Sequence, residues 1–462
     1  MTDTPDVAPG SAPGTPATAP APRPRTGAGP GTPPRAAPLP WYRAALMPTV
    51  WMLTRALLLL FVLKVFVLPG PDVTVDVSVI YQGWYDVLRT GTFPLDDVTW
   101  QYPPAAALPV LSPGLLPFLD YPAAFTVLVL AADAVVLLLL QYAGTRPGGS
   151  ERGVWLWVCG VPLLGPTVYA RYDLMVTAVA VAALVAGVRH PRAAGVLAAF
   201  GALLKVWPAL VLAGTAPGRA TRRAWTAAAV AGSLVLLVFA VTMPGAFGFL
   251  TAQRDRGTEV ESVGALVLHL ARWFGWPGEV RLHYGSLEFL GPYVPVVSTA
   301  AQALTVLALG WLMVWRVRAR TWSPGTPADA AFVAVLLFTV TSRVISPQYV
   351  VWLIGLAAVC LTFRDSRMAV PGWLVAAAAF VTVLEFPVYF AEVVAGEPLG
   401  VGLLFVRNGL LVAAALLAAG RLWRATVPGA GTPGVRRSRK AYGARPAAVS
   451  PARASDTSAS AP

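Results

Sequence analysis

Ten apolar runs, each bounded by charged residues or by proline and glycine, follow one another along this chain. They lie near 46–68, 122–142, 153–168, 171–188, 224–243, 291–315, 328–342, 347–363, 369–387 and 401–421. A helix needs about 20 apolar residues to cross a bilayer, and most of the runs approach that length. Charged residues make up only 12% of the 462, against about 25% in an ordinary soluble domain. Little is left from which to build a water-soluble enzyme. The expected fold class is therefore all-α, a polytopic membrane protein of about 10–12 transmembrane helices.

Two segments leave that count open. Residues 104–118 are short and carry Pro109, Pro113 and Pro117, which suits a kinked or dipping helix better than a clean span. The second, 192–214, decides the topology. Short arginine-rich loops belong in the cytoplasm, and Arg316–Arg320, Arg364–Arg367 and the C-terminal tail obey this if the chain ends inside. The loops Arg189–Arg192 and Arg219–Arg223 are both basic, yet one apolar stretch separates them. Both can be cytoplasmic only if that stretch turns back, and Lys205-Val206-Trp207-Pro208 supplies a proline that breaks the helix there. Both termini are then cytoplasmic.

Residues 1–40 and 425–462 are rich in Pro, Ala, Gly and Thr with scattered arginine, a composition too poor in apolar bulk to fold, and are expected to be disordered. The membrane domain is placed at 41–424. The net charge of +13 lies largely in the tails and short loops, as topology demands, so no nucleic-acid partner is expected. Cys159 and Cys360 sit in apolar runs and suit neither a disulfide nor a zinc site.

An ionisable residue at membrane depth costs a few kcal/mol and is a functional candidate by default. In this topology Asp72, Asp76, Asp86, Asp96, Asp97, Arg171, Asp173, Arg254, Arg256, Glu259, Glu261 and Arg343 gather on the non-cytoplasmic face, and Lys205 approaches it from within. In the first external loop Ile80, Trp84, Val87 and Leu88 share one helical face, which predicts an interfacial helix. Asp76, just past a span, is either a general base or a solvated loop acid. Asp96 and Asp97 could hold a divalent cation, bind hydroxyls or simply form a turn, and no cofactor is certain. Planar, always-charged guanidiniums at 171, 254, 256 and 343 suit a phosphate; ion pairs with Asp173, Asp255 or Glu261 are the equal alternative.

The order Asp76, Gly91-Thr92-Phe93-Pro94-Leu95-Asp96-Asp97, Gln101-Tyr102-Pro103-Pro104 resembles the first external loop of the GT-C superfamily of polyprenol-phosphate-sugar glycosyltransferases. The nearest branch is glycosyltransferase family 87, the bacterial mannosyltransferase-like group. Arg171-Tyr172-Asp173, Leu204-Lys205-Val206-Trp207-Pro208, Arg254-Asp255-Arg256-Gly257 leading to Glu261-Ser262, and Ser346-Pro347-Gln348-Tyr349 extend the likeness across about 50–425. The chain departs from the pattern at Gln101 and at Thr258-Glu259-Val260.

The resemblance implies a bacterial plasma-membrane enzyme that passes a hexose, mannose foremost, from a polyprenyl-phosphate donor to a glycan or glycolipid hydroxyl. The transfer inverts the sugar and takes place at the extracytoplasmic face. On that basis Asp76 is the expected base. Asp96, Asp97, Tyr102, Arg171, Asp173, Glu261 and Gln348 are acceptor or sugar contacts, and Lys205, Arg254, Arg256 and Arg343 hold the donor phosphate. A transporter or flippase is the competing reading. It predicts internal repeats and a site near the midplane, and the sequence has neither.

Overall fold

A computed structural model of the chain describes residues 41–252 and 256–429. The expected tails at 1–40 and beyond 429, and Arg254, lie outside the described residues. The chain divides into two units, Met1–Leu46 and Met47–Pro462. The described part of the first is helical.

The second unit is a helical membrane bundle. Among the described residues, six helices are long and apolar enough to span a bilayer: Ala45–Val62, Tyr121–Gly144, Arg219–Thr242, Val294–Arg318, Ala369–Val388 and Pro398–Thr426. Shorter apolar helices, among them Asp173–Gly187, Pro191–Leu204, Thr326–Thr341 and Tyr349–Leu361, pack inside or between them. The sequence accounts for the layering. Tyr349–Leu361 is apolar on every side, the signature of a helix buried all round, and nearly all of it is buried. Arg219–Thr242 and Val294–Arg318 leave Leu234, Val238, Val241, Val306, Leu307 and Met313 exposed, which in a bilayer is lipid-facing surface.

Proline and glycine cut several runs short. The run 153–168 is α-helical only over Arg152–Gly160 and continues as tighter turns through Pro162 and Pro166, with Gly165 at φ 60°. Residues 104–115 form three short pieces in succession. The 192–214 stretch turns back as expected. Pro191–Leu204 ends where Lys205 becomes extended (φ −152°, ψ 138°), and the Trp207–Gly214 turns fold back along it. A Cβ on Gly201 would meet Pro208 at 2.8 Å, and Ala198 packs with Leu212. A cavity of about 420 Å³ is bounded together by Val188, Pro191, Ala216, Ala220, Trp322 and Phe363. The arginine-bearing loops around these residues therefore share one end of the bundle.

The opposite end carries the first loop, Arg171, the hairpin tip at Lys205 and residues 342–348. It also carries a small sheet that the all-α expectation did not include. Thr258–Glu259, Ser286–Leu290 and Glu279–His283 form an antiparallel sheet with Ser286–Leu290 in the middle. His283 pairs with Ser286, leaving a two-residue turn, Tyr284-Gly285, with φ 50° and 75°, the left-handed pair a tight hairpin requires. The first-loop helix forms as expected over Gln82–Leu88, with Trp84 and Leu88 buried and Ile80 packed against the core as expected. Val87 alone of that face is exposed; the buried stripe continues back through Tyr81 and Val77.

Candidate active site

The centre of the site is a buried lysine. Lys205 is 7% exposed, and its Nζ lies 2.6 Å from Asp173 Oδ1. Because Lys205 tips the broken hairpin and Asp173 begins the Asp173–Gly187 helix, the chain breaks themselves bring the two together. The same Oδ1 accepts a hydrogen bond from Trp352 Nε1 at 2.7 Å, while Oδ2 is buried without a partner among the described residues. The rings of Tyr102, Tyr172, Tyr349 and Trp352 surround Nζ at 5.2–5.5 Å, within cation–π range. Tyr349 stacks on Trp352 at 4.0 Å and Trp352 on Trp207 at 5.1 Å. These aromatic faces hold the ammonium while leaving carboxylate oxygen to spare.

Beside it, Asp76 Oδ2 pairs with Arg171 Nη2 at 2.6 Å. Arg171 is braced on the carbonyls of Val73 and Ala170. Asp76 keeps a third of its side chain exposed, unlike Asp173. Burial pushes the Asp76 carboxyl above its usual value, and the nearby Arg171 charge offsets only part of that. Tyr102 lies within electrostatic reach of Asp173, Asp76, Arg171 and Arg256 and so links this pair to the next group.

Arg256 is held in a frame of acceptors. Its Nε donates to Glu288 Oε1 at 2.7 Å, Nη1 to Gln101 Oε1 at 3.1 Å and Nη2 to Ser286 Oγ at 2.6 Å. Glu288 is fully buried and also accepts from the Gly257 N–H at 2.8 Å, with His283 Nδ1 at 3.1 Å. Arg343 Nη1 donates to the Arg256 carbonyl at 2.8 Å, and its own carbonyl accepts from the Glu259 N–H. Ser346 Oγ donates to Glu259 Oε1 at 3.1 Å. Burial raises the Glu259 carboxyl against the opposing pull of Arg256. The small sheet thus ties Arg256 and Arg343 to one loop system.

The remaining expected residues fall elsewhere. Glu261 enters a separate buried network. Its side chain lies 3.5 Å from Arg407 Nη1, its carbonyl accepts from Arg407 and Asn408, and Arg407 also pairs with Glu385 at 3.4 Å. Asp97 is an anchor of its own loop: Oδ1 accepts from Thr99 N and Oγ1 at 2.8 and 2.6 Å, and Oδ2 from Trp84 Nε1 at 2.8 Å. Burial alone would raise its carboxyl, but these bonds outweigh burial and hold it low. Asp96 is exposed on the adjacent turn. Both Asp97 oxygens accept hydrogen bonds within the loop, and no cluster of three His, Cys, Asp or Glu side chains that could hold a metal ion occurs among the described residues. Gln348 precedes the Tyr349–Leu361 helix beside Tyr349, with no side-chain hydrogen bond among the described residues.

Several contributors escaped the sequence reading. Trp352 sits in a run that the sequence presents only as a span, and Glu288 and Ser286 in a loop with no structure assigned to it. The alternation Glu279-Val280-Arg281-Leu282-His283 followed by Tyr284-Gly285 was the available hairpin signal. Glu385 and Arg407 are charges inside apolar runs, which the cost of burying charge should have flagged.

Among protein families, the model described as Glycosyltransferase family 87 matches residues 100–347, more than half of the chain. No curated protein and no solved structure matches.

Proposed function

The chain belongs to glycosyltransferase family 87 and, being a polytopic membrane protein, is a membrane glycosyltransferase; on that premise we propose its donor, acceptor and chemistry. It moves a hexose, mannose foremost, from a polyprenyl-phosphate carrier to a hydroxyl of an envelope glycan or glycolipid. Transfer inverts the sugar at the extracytoplasmic face of a bacterial plasma membrane. The observation that carries this reading is the pairing of a half-open carboxylate, Asp76, with buried cations at one end of the bundle.

Asp76 takes the acceptor proton. Its raised pKa makes it a better base than a solvated aspartate, and Arg171 holds it in place. The leaving phosphate gains charge as the glycosidic bond breaks, and fixed cations in a dry site stabilise that charge more than water can. Arg256 is suited to this: only its Nε is committed to a carboxylate, while Nη1 and Nη2 rest on the neutral Gln101 and Ser286. Lys205 and Arg343 complete the cationic side, with Arg254 as a further candidate. Tyr102, Asp173 and Gln348 are assigned to the sugar or acceptor; Asp173 Oδ2, buried and without a partner among the described residues, is the acceptor left for a hydroxyl.

The test uses membranes carrying the wild type or Asp76→Asn, supplied with radiolabelled polyprenyl-phosphate mannose and native lipid acceptors without an ion gradient. The wild type should label a new product and the variant should be slower by about 10²–10⁴-fold. Full activity in the variant would remove Asp76 as the base. Failure of the wild type across a panel of polyprenyl-phosphate sugars would hand the chain to the transporter reading.

A further inference from the structure

The arginine-rich end of the bundle has a cavity of its own. It measures about 700 Å³ and is lined by Ser150, Glu151, Arg152, Trp155, Arg364 and Trp373, with Leu361 in its wall. The helix Tyr349–Leu361 joins this wall to the candidate active site, and at 1.5 Å rise per residue its ends lie about 18 Å apart. The cavity is a separate place with separate chemistry.

The charge of its wall selects an anion. Arg152 and Arg364 are exposed guanidiniums, and Arg364 commits Nε to the Gly149 carbonyl at 2.8 Å. Against them stands the single lining carboxylate of Glu151, so the wall is net positive. The helices Arg152–Gly160 and Ala369–Val383 begin here while Tyr121–Gly144 and Tyr349–Leu361 end here, so the helix dipoles offset one another and the two guanidiniums carry the preference for an anion.

Two further properties select a lipid over a soluble ion. Trp155 and Trp373 sit within the first two turns of these helices, and Trp373 is 59% exposed. Tryptophan concentrates at the level where hydrocarbon gives way to headgroups. Ala369–Val388 is itself one of the spanning helices, so the cavity opens at that level. A basic pocket between spanning helices at the interface is the setting in which anionic headgroups are held.

We propose that this cavity binds the phosphate headgroup of an anionic phospholipid, with Arg152 and Arg364 on the phosphate and the two indoles against the glycerol and upper acyl chains. The inference is independent of the sugar-transfer chemistry at the other end.

The full chain, purified in detergent, would be melted with phosphatidylglycerol, phosphatidylcholine or inorganic phosphate added at equal concentration. Phosphatidylglycerol should raise the melting temperature and the other two should not. Arg152→Gln, an exposed position where folding is not at stake, should weaken the phosphatidylglycerol titration about fivefold. Arg192→Gln, another exposed arginine at the same end but outside the cavity, should leave it unchanged. Equal shifts from the two lipids, an equal shift from inorganic phosphate, or a titration unmoved by Arg152→Gln would each overturn the proposal.

Discussion

Two of the buried ion pairs in this bundle, Arg55–Asp133 and Lys205–Asp173, are finished to different degrees. Asp133 accepts from Arg55 Nε and Nη2, Trp51, Trp157 and Tyr169, so both of its oxygens are occupied. Arg55 sends its remaining N–H groups to the Thr54 hydroxyl and the Val158 and Trp157 carbonyls. Nothing is left over, as a pair that only holds helices together requires. Asp173 and Lys205 are buried almost as deeply, yet one carboxylate oxygen has no partner and the ammonium faces four rings. An incomplete buried pair costs stability unless something arrives to complete it. The Arg407–Glu385 pair is incomplete as well, so an unfilled valence alone does not make a site; under the proposed function the Asp173–Lys205 pair is the working one.

The sharpest way to break the comparison is Asp133→Ala. It strands a buried guanidinium and should cost about 3–5 kcal/mol, read as a lower melting temperature and poor recovery of folded protein. Replacing both members by apolar residues separates the roles. Arg55→Met with Asp133→Leu should keep transfer close to wild type, since an apolar replacement of a whole buried pair is often neutral. Lys205→Met with Asp173→Leu should fold comparably but lose about 10²–10³-fold in transfer rate. If both doubles were equally active, the contrast would be void.

A smaller effect is expected one step away from the pairs. Glu288→Gln removes the carboxylate that fixes Arg256 Nε and should raise the donor KM about tenfold, the size of one charge-assisted hydrogen bond, with kcat less affected. The smallest is a shift of a pH profile. Asp76 must be ionised to act, and burial holds its carboxyl above the ordinary 3.8. Transfer is therefore lost as pH falls through that raised value. Arg171→Gln removes a charge that opposes burial, so the acid limb should move to higher pH. An unmoved limb would assign the base to another group.

The legible part of this molecule was its apolar bookkeeping. Run lengths located the spans, and two basic loops too close together forced the turn at Lys205, because charge and hydrocarbon do not mix regardless of tertiary detail. The stretch 104–118 was read correctly as broken because proline acts locally. The buried face of Gln82–Leu88 is likewise legible at Ile80, Trp84 and Leu88, while Val87, at the edge of that face, lies exposed. In the candidate site, Lys205, Asp173 and Tyr102 are legible in the sequence, and Tyr172 and Tyr349 stand in motifs that carry the family resemblance. Trp352 is not legible: it looks like any aromatic residue in an apolar helix until the fold sets its ring 5.2 Å from the Lys205 ammonium. Of the alternatives open for Asp97, the turn is the one whose bonds are present: an aspartate two residues before a threonine accepts from that residue's N–H and hydroxyl.

The turn at Lys205 also fixes the bookkeeping of sides for everything downstream. Two segments that enter and leave by the same end add no crossing, so the chain reaches residue 219 in the compartment it left at residue 190. Reporter enzymes inserted at those two loops would therefore report the same side. A chain in which this stretch were straightened into a full crossing would present Arg256, Glu288 and the small sheet to the opposite compartment from Asp76, splitting one pocket into two halves that never meet.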